Sequence, residues 1–176
     1  MSNVKSLASL LLLIVLLTIA AGCGTSSPTP VAAGPSAAGA PYLLSSEPAE
    51  AKTVLDARAD TKDADDIVLV GRIGGDTSPW VNGQAAFLVV DGSLKPCNEK
   101  DDDDCPTPWD YCCDGDTLPK SKAVVKVVDR SGKTVATDAR ELLGLQELQT
   151  VVVQGRAARD EAGNLTVLAD GIFVRK

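Results

Sequence analysis

Residues 151–174 read VVVQGRAARDEAGNLTVLADGIFV, and this stretch decides the fold class. Two segments rich in β-branched and small apolar residues flank the polar sequence DEAGN at 160–164. Gly163 and Asn164 tolerate the positive φ angles that tight turns between antiparallel strands require. The pattern predicts strands at 150–158 and 165–174 that are joined by a hairpin turn.

Three further strands are predicted on the N-terminal side of this hairpin. They are IVLVGRI at 67–73, AAFLVV at 85–90 and AVVKVVD at 123–129. Each segment is rich in β-branched and other apolar residues, and glycines at 74–75, 92 and 132 lie in the turns that follow. The spacing of Asp138 and Glu141 resembles a capping box and predicts a short helix that ends near Gly144.

A second short helix is predicted before the first strand. Residues 48–59 read PAEAKTVLDARA, with Ser46 as the expected N-cap and Pro48 near the first turn. Ala51, Val54, Leu55 and Ala59 fall on one stripe, so this helix is expected to pack on the domain.

The order of these elements resembles an OB-fold over residues 67–176. The resemblance rests on five strands, a helix between the third and fourth, Gly71 within the first strand and the closing hairpin. It implies a mainly β fold, a five-stranded OB-like barrel with a long cysteine-rich loop at 94–120 between strands two and three. A mixed sandwich is the alternative.

The N-terminus has the pattern of an export signal. Residues 7–21, LASLLLLIVLLTIAA, carry no charge and are shorter than the ~20 apolar residues of a membrane span. They lead into AAGC at 20–23, which resembles the lipobox of bacterial lipoproteins, although Ala20 stands where Leu is usual. The resemblance implies a signal peptide at 1–22, a lipid on Cys23 and a location in the bacterial cell envelope, outside the cytoplasm and anchored to a membrane. A plain signal peptide cut nearby and an uncleaved anchor are the alternatives.

The rest of the chain divides by composition. Residues 23–46 are rich in Pro, Ala, Gly and Ser and predict a flexible linker, because they offer little apolar surface to bury. Residues 47–66 hold the short helix and a charged connector, and residues 67–176 form the domain.

Composition excludes several functions. The chain has no histidine, so it contains no Ser-His or Cys-His catalytic pair and no imidazole metal ligand. Its net charge of −7 and its six aromatic residues disfavour nucleic acid, which is bound by basic grooves and stacking rings. We therefore predict a non-enzymatic protein with no nucleic-acid partner and no catalytic residue.

The most unusual segment is PCNEKDDDDCPTPWDYCCDGD at 96–116. With VGRIGG at 70–75 it is similar to exported bacterial proteins that have no assigned activity. It contains Cys97, Cys105, Cys112 and Cys113, an even set that predicts two disulfides in an oxidising compartment. The pairing is either 97–112 with 105–113 or 97–113 with 105–112, because bonding the adjacent cysteines closes a strained ring. The predicted function is a binding or structural module that contacts another envelope protein through this loop.

Two other chemistries are open to the same cysteines. Four thiolates can hold Zn²⁺, and fewer can hold Cu(I), although the spacing contains no C-x-x-C pair. Cys112 and Cys113 could instead exchange disulfides as a thiol oxidoreductase. The flanking acids Asp110 and Asp114 are expected to raise the thiol pKa values and oppose that reaction.

The acidic residues of the loop predict either a solvated loop tip or a cation site. Carboxylate oxygens suit Ca²⁺, but the alternating acids and glycine of an EF-hand loop are missing. The cation-binding candidates are Asp101, Asp102, Asp103, Asp104, Asp114 and Asp116.

Overall fold

Five strands close into a barrel in the computed structural model, which describes residues 34–101 and 105–176. The strands are β1 (Asp66–Ile73), β2 (Ala86–Val90), β3 (Lys122–Val127), β4 (Thr150–Arg159) and β5 (Leu165–Val174). Their order around the barrel is β1-β2-β3-β5-β4, and β4 pairs with β1. Every pairing is antiparallel except that of β3 with β5. The prediction of a mainly β, five-stranded OB-like barrel is confirmed. The predicted signal peptide, Cys23 and the acids at 102–104 lie outside the described residues.

Alternating side chains fill the barrel. Every second residue of β1 and β3 is buried, as expected for strands with one face on a core. The largest fully buried aliphatic and aromatic side chains of the strands are Leu69, Ile73, Phe87, Val89, Val90, Val125, Val127, Leu165 and Ile172. Each contributes roughly 1.5–3 kcal/mol by leaving water, so the strands are held by their shared core.

The β4–β5 hairpin is bent by a bulge between Gln154 and Gly155. A Cβ atom on Gly155 would overlap the carbonyl oxygen of Leu168 and lie 2.8 Å from the Cα of Ala169. Only glycine allows the two strands to approach this closely. At the turn Gly163 has φ +78°, as the sequence predicted.

The helix before the barrel, α1 (Val54–Asp60), begins later than predicted. Lys52 is extended and pairs with β1, donating from its N–H to Val68 (2.8 Å) and accepting from Val70 (2.9 Å). The N-cap is therefore Thr53 and not Ser46. The predicted apolar stripe is also wrong in part, because Val54 is buried while Leu55 is 41% exposed.

Both ends of α1 are held by charged side chains from the barrel. The carboxylate of Asp91, after β2, accepts a hydrogen bond from the N–H of Leu55 at 2.9 Å. The guanidinium of Arg159, at the end of β4, donates to the carbonyls of Ala57 (3.0 Å), Arg58 (2.7 Å) and Thr61 (2.8 Å). A negative group at the first turn and a positive group at the last one stabilise a helix that is too short to form alone.

A second helix, α2 (Ala139–Leu143), lies between β3 and β4 as predicted. Asp138 caps it by accepting from the N–H of Arg140, and Gly144 ends it with φ +68°. Its Leu142 carbonyl accepts from the N–H of Ser36 at 3.0 Å, and the N–H of Leu44 donates to Ile172 of β5 at 2.8 Å. The C-terminal part of the segment predicted as a flexible linker is thus bound to the barrel. Within residues 34–101 and 105–176, no helix has the length and apolarity needed to cross a membrane.

Candidate functional site

The cysteine loop is the segment 91–121 that connects β2 to β3. Its base is closed by the N–H of Asp91, which donates to the carbonyl of Ser121 at 2.8 Å. Farther out, the N–H of Cys97 donates to Asp110 at 2.8 Å, so the outgoing and returning halves of the loop lie side by side. A turn at residues 107–110, with Pro108 at its second position, reverses the chain between them.

The loop is fixed to the exit of β1 by its tryptophan. The carbonyl of Trp109 accepts from the N–H of Gly75 at 3.1 Å, and its indole Nε1 donates to the carbonyl of Thr77 at 3.1 Å. A Cβ atom on Gly74 would overlap that same Trp109 carbonyl and lie 3.1 Å from the ring of Tyr111. The part of the loop around Trp109 therefore packs directly on the backbone of Gly74 and Gly75.

An ion pair adds a second attachment. Arg72 of β1 contacts Glu99 at 2.6 Å, and Glu99 belongs to the same 3₁₀ turn as Cys97. Both side chains are partly exposed, so the pair contributes at most ~1 kcal/mol to stability. Its effect is positional, because it fixes the turn that carries the first cysteine.

Three of the four predicted cysteines converge. The Sγ atoms of Cys97 and Cys112 are 3.6 Å apart, those of Cys112 and Cys105 are 4.0 Å apart, and all three lie within 4.8 Å of one another. These separations exceed the ~2.05 Å of a disulfide bond. Cys97 is buried, Cys105 half-buried and Cys112 exposed, so the cluster extends from the loop interior to solvent. The fourth predicted residue, Cys113, is outside this set.

The arrangement bears differently on each predicted chemistry of the cysteines. Of the predicted disulfide pairings, 97–112 joins thiols that already touch. The predicted metal site had four thiolate ligands, whereas only three thiols, those of Cys97, Cys105 and Cys112, converge among the described residues. For the predicted thiol oxidoreductase, Cys112 and Cys113 are not an isolated pair, because the thiol of Cys112 also contacts those of Cys97 and Cys105.

A lysine that the sequence reading missed lies at the site. The ammonium of Lys100 contacts the carboxylate of Asp114 at 2.8 Å. This hydrogen bond raises the pKa of Lys100, and the negative forms of Cys113 and Cys97 add to the effect. The predicted influence of Asp114 on the thiols is therefore offset by a cation. The only sequence signal for it was its position three residues after Cys97.

The thiol of Cys105 is polarised by its own turn. Its Sγ lies 3.3 Å from the Oγ1 of Thr107. Hydrogen bonds with the side chain and backbone of Thr107 are the main cause that lowers the pKa of Cys105 below its usual value. A lowered thiol pKa favours the thiolate, which is the metal-binding and nucleophilic form.

Tyr111 forms the floor of the loop. Its side chain is fully buried, and its hydroxyl makes no hydrogen bond to any of the described residues. Burial raises the pKa of Tyr111 to about 12, although Arg72 acts in the opposite direction. The inner side of the loop thus contains two fully buried side chains, Tyr111 and Cys97.

The predicted cation-binding acids do not assemble among the described residues. Asp101 and Asp116 are exposed, and Asp114 is occupied by Lys100. Neither they nor any other described carboxylate belongs to a converging set of three or more metal-ligating side chains. The calcium prediction therefore has no support from the described part of the loop.

Comparison of the chain with protein-family models and with curated proteins gives no match.

Proposed function

We propose that this chain is a membrane-anchored extracytoplasmic lipoprotein, without catalytic activity, whose cysteine loop binds a soft metal ion. The anchor is supported by the uncharged run at 7–21 and by the AAGC sequence at 20–23, which overlaps the end of that run. The binding function is carried by one observation, the mutual approach of the Cys97, Cys105 and Cys112 Sγ atoms within 4.8 Å.

The spacing of the thiols suits a single ion. Metal–sulfur bonds of ~2.3 Å place two sulfur ligands of one ion about 3.8–4.0 Å apart. The contacts at 3.6 and 4.0 Å need only a small adjustment to reach that spacing. Thiolates are soft ligands that select Cu(I) and zinc over magnesium and calcium.

Metal analysis of the exported protein tests this function. The full chain is extracted from membranes in mild detergent without chelator, and its metal content is measured by mass spectrometry. We expect a stoichiometric ion that is lost in Cys97→Ser and Cys112→Ser. Cys113→Ser is the matched control, because it removes a neighbouring thiol from outside the set, and it should keep the ion. Metal far below stoichiometry in the parent chain, unchanged in all variants, would contradict the proposal.

A second candidate follows from the Cys97–Cys112 contact at 3.6 Å, which is shorter than the 4.0 Å contact between Cys112 and Cys105. A disulfide there would staple the loop as a rigid, acidic contact surface for another envelope protein. Non-reducing peptide mapping of the exported chain distinguishes the two candidates. A complete 97–112 bond with no bound metal favours the staple, and unmodified thiols with bound metal favour the metal site.

The lipid anchor has its own test. Growth with labelled palmitate should label the full chain and leave Cys23→Ser unlabelled, while that variant shifts from the membrane to the soluble fraction. An unlabelled parent chain would refute the anchor and leave the metal proposal untouched, because Cys23 is not one of the residues that form the barrel or the thiol cluster.

A further inference from the structure

The number and kind of groups around the thiol cluster indicate which ion it takes. We infer that the ion is monovalent copper, held in a trigonal arrangement by the thiolates of Cys97, Cys105 and Cys112. This inference rests on the proposed metal-binding function and specifies its ligand.

The first argument is the number of ligands. Structural zinc sites are closed by four ligands in tetrahedral geometry. The cluster offers three sulfurs, and the remaining thiol of the loop, Cys113, is not in the converging set. Without histidine in the chain, no imidazole can supply a fourth ligand.

The second argument is that three acidic side chains in the described part of the loop already have partners. Glu99 is paired with Arg72 at 2.6 Å, and Asp114 is paired with Lys100 at 2.8 Å. The carboxylate of Asp110 accepts from the N–H of Tyr111 at 2.7 Å. One oxygen of each of these carboxylates is therefore already used in a contact within the protein.

The third argument concerns charge and softness. Binding of one Cu⁺ by three thiols releases their three protons to solvent and leaves a complex with net negative charge. The ammonium of Lys100 lies within electrostatic range of Cys97 and offsets part of that charge. An all-thiolate ligand set with a buried inner member, Cys97, suits a soft monovalent ion.

Competitive titration tests the inference. The full chain, reduced and freed of metal, is titrated anaerobically with Cu(I) against a chromogenic Cu(I) chelator, and separately with Zn²⁺. We expect one Cu(I) per chain and an X-ray absorption spectrum with three sulfur neighbours. Cys112→Ser should weaken Cu(I) binding by more than the ~100-fold that loss of an outer-shell partner costs, while Cys113→Ser should bind like the parent. Cys112 is exposed, so its replacement is not expected to disturb folding, and circular dichroism checks this.

The failures are distinguishable. Four-coordinate Zn²⁺ binding that is tighter than Cu(I) binding would overturn the copper inference and leave the proposed metal function standing. Loss of Cu(I) in Cys113→Ser would overturn the ligand set. Absence of binding by either ion would overturn the inference and the proposed function together.

Discussion

Replacing Gly74 by alanine should release the cysteine loop while the barrel stays folded. The added methyl group would overlap the Trp109 carbonyl, so the loop must move away from β1. Two hydrogen bonds, Gly75 to Trp109 and Trp109 to Thr77, then weaken at ~1 kcal/mol each. Crowding of the Tyr111 ring adds up to about 2 kcal/mol to the loss. We expect the docking of the loop to lose about 2–4 kcal/mol.

The buried thiol reports this loss directly. Cys97 is 1% exposed, so in the reduced, metal-free chain it reacts with iodoacetamide only when the loop opens. If the loop closes faster than alkylation occurs, the rate follows the opening equilibrium. A change of 2–4 kcal/mol then raises the Cys97 rate roughly 30- to 1000-fold. Cys112, which is exposed already, serves as an internal reference with little change.

Gly92→Ala is the matched control, because a Cβ there meets no heavy atom within 4 Å. Alkylation is followed peptide by peptide with mass spectrometry, and barrel unfolding is followed by circular dichroism. A Cys97 rate within threefold of the parent would refute the packing argument for Gly74. The gain in Cys97 reactivity can also be expressed as a free energy of loop opening. If the barrel lost the same free energy of unfolding, the conclusion that the loop opens while the barrel stays folded would be refuted.

Other predictions concern the clamp on α1, which consists of Asp91 at its first turn and Arg159 at its last turn. Arg159→Met removes the donors to three carbonyls at the C-terminal end of α1, those of Ala57, Arg58 and the C-cap Thr61, and should lower the free energy of unfolding by about 2–3 kcal/mol in urea titrations. Arg156→Met, on the same strand with a mostly exposed side chain, should cost less than ~1 kcal/mol, and equal effects would contradict the clamp. Burial opposes ionisation of Asp91, but hydrogen bonds from Leu55 and Ser93 outweigh it and hold its pKa below the usual value. Its stabilising effect is therefore complete above the ordinary aspartate pKa of ~4 and is lost as the pH falls through the lower folded-state pKa. Asp91→Asn should flatten this acid dependence in thermal melts, and an unchanged pH profile would count against the assignment.

The strands could be predicted because their cause is local. β-Branched residues with period two and a turn tolerant of positive φ specify a hairpin from a dozen residues, and β5 has the predicted bounds of 165–174. The start of α1 could not be predicted in this way. Lys52 has ordinary helix propensity, and only pairing with β1, sixteen or more residues away, holds it extended.

The candidate site was predictable in its members but not in its geometry. The sequence singled out all four cysteines, but it did not indicate that Cys97, Cys105 and Cys112 converge while the loop packs on Gly74 through Trp109. The pairing of Lys100 with Asp114 likewise depends on two 3₁₀ turns that no propensity specifies. Long-range contacts of a loop carry little signal in one sequence, because each residue is compatible with many turn conformations.

The segment at residues 36–44 packs along the outer part of β5. β3 lies beside β5 only as far as Ala169, whereas β5 continues to Val174. Over this last part the backbone of Leu43 and Leu44 takes the neighbouring place, next to Ile172. A chain shortened to begin at residue 47 would expose these N–H and C=O groups as an open edge, to which a strand of another molecule can add. The segment that leads toward the N-terminus thus covers a part of β5 that β3 does not reach, and the fold includes more of the chain than its five strands.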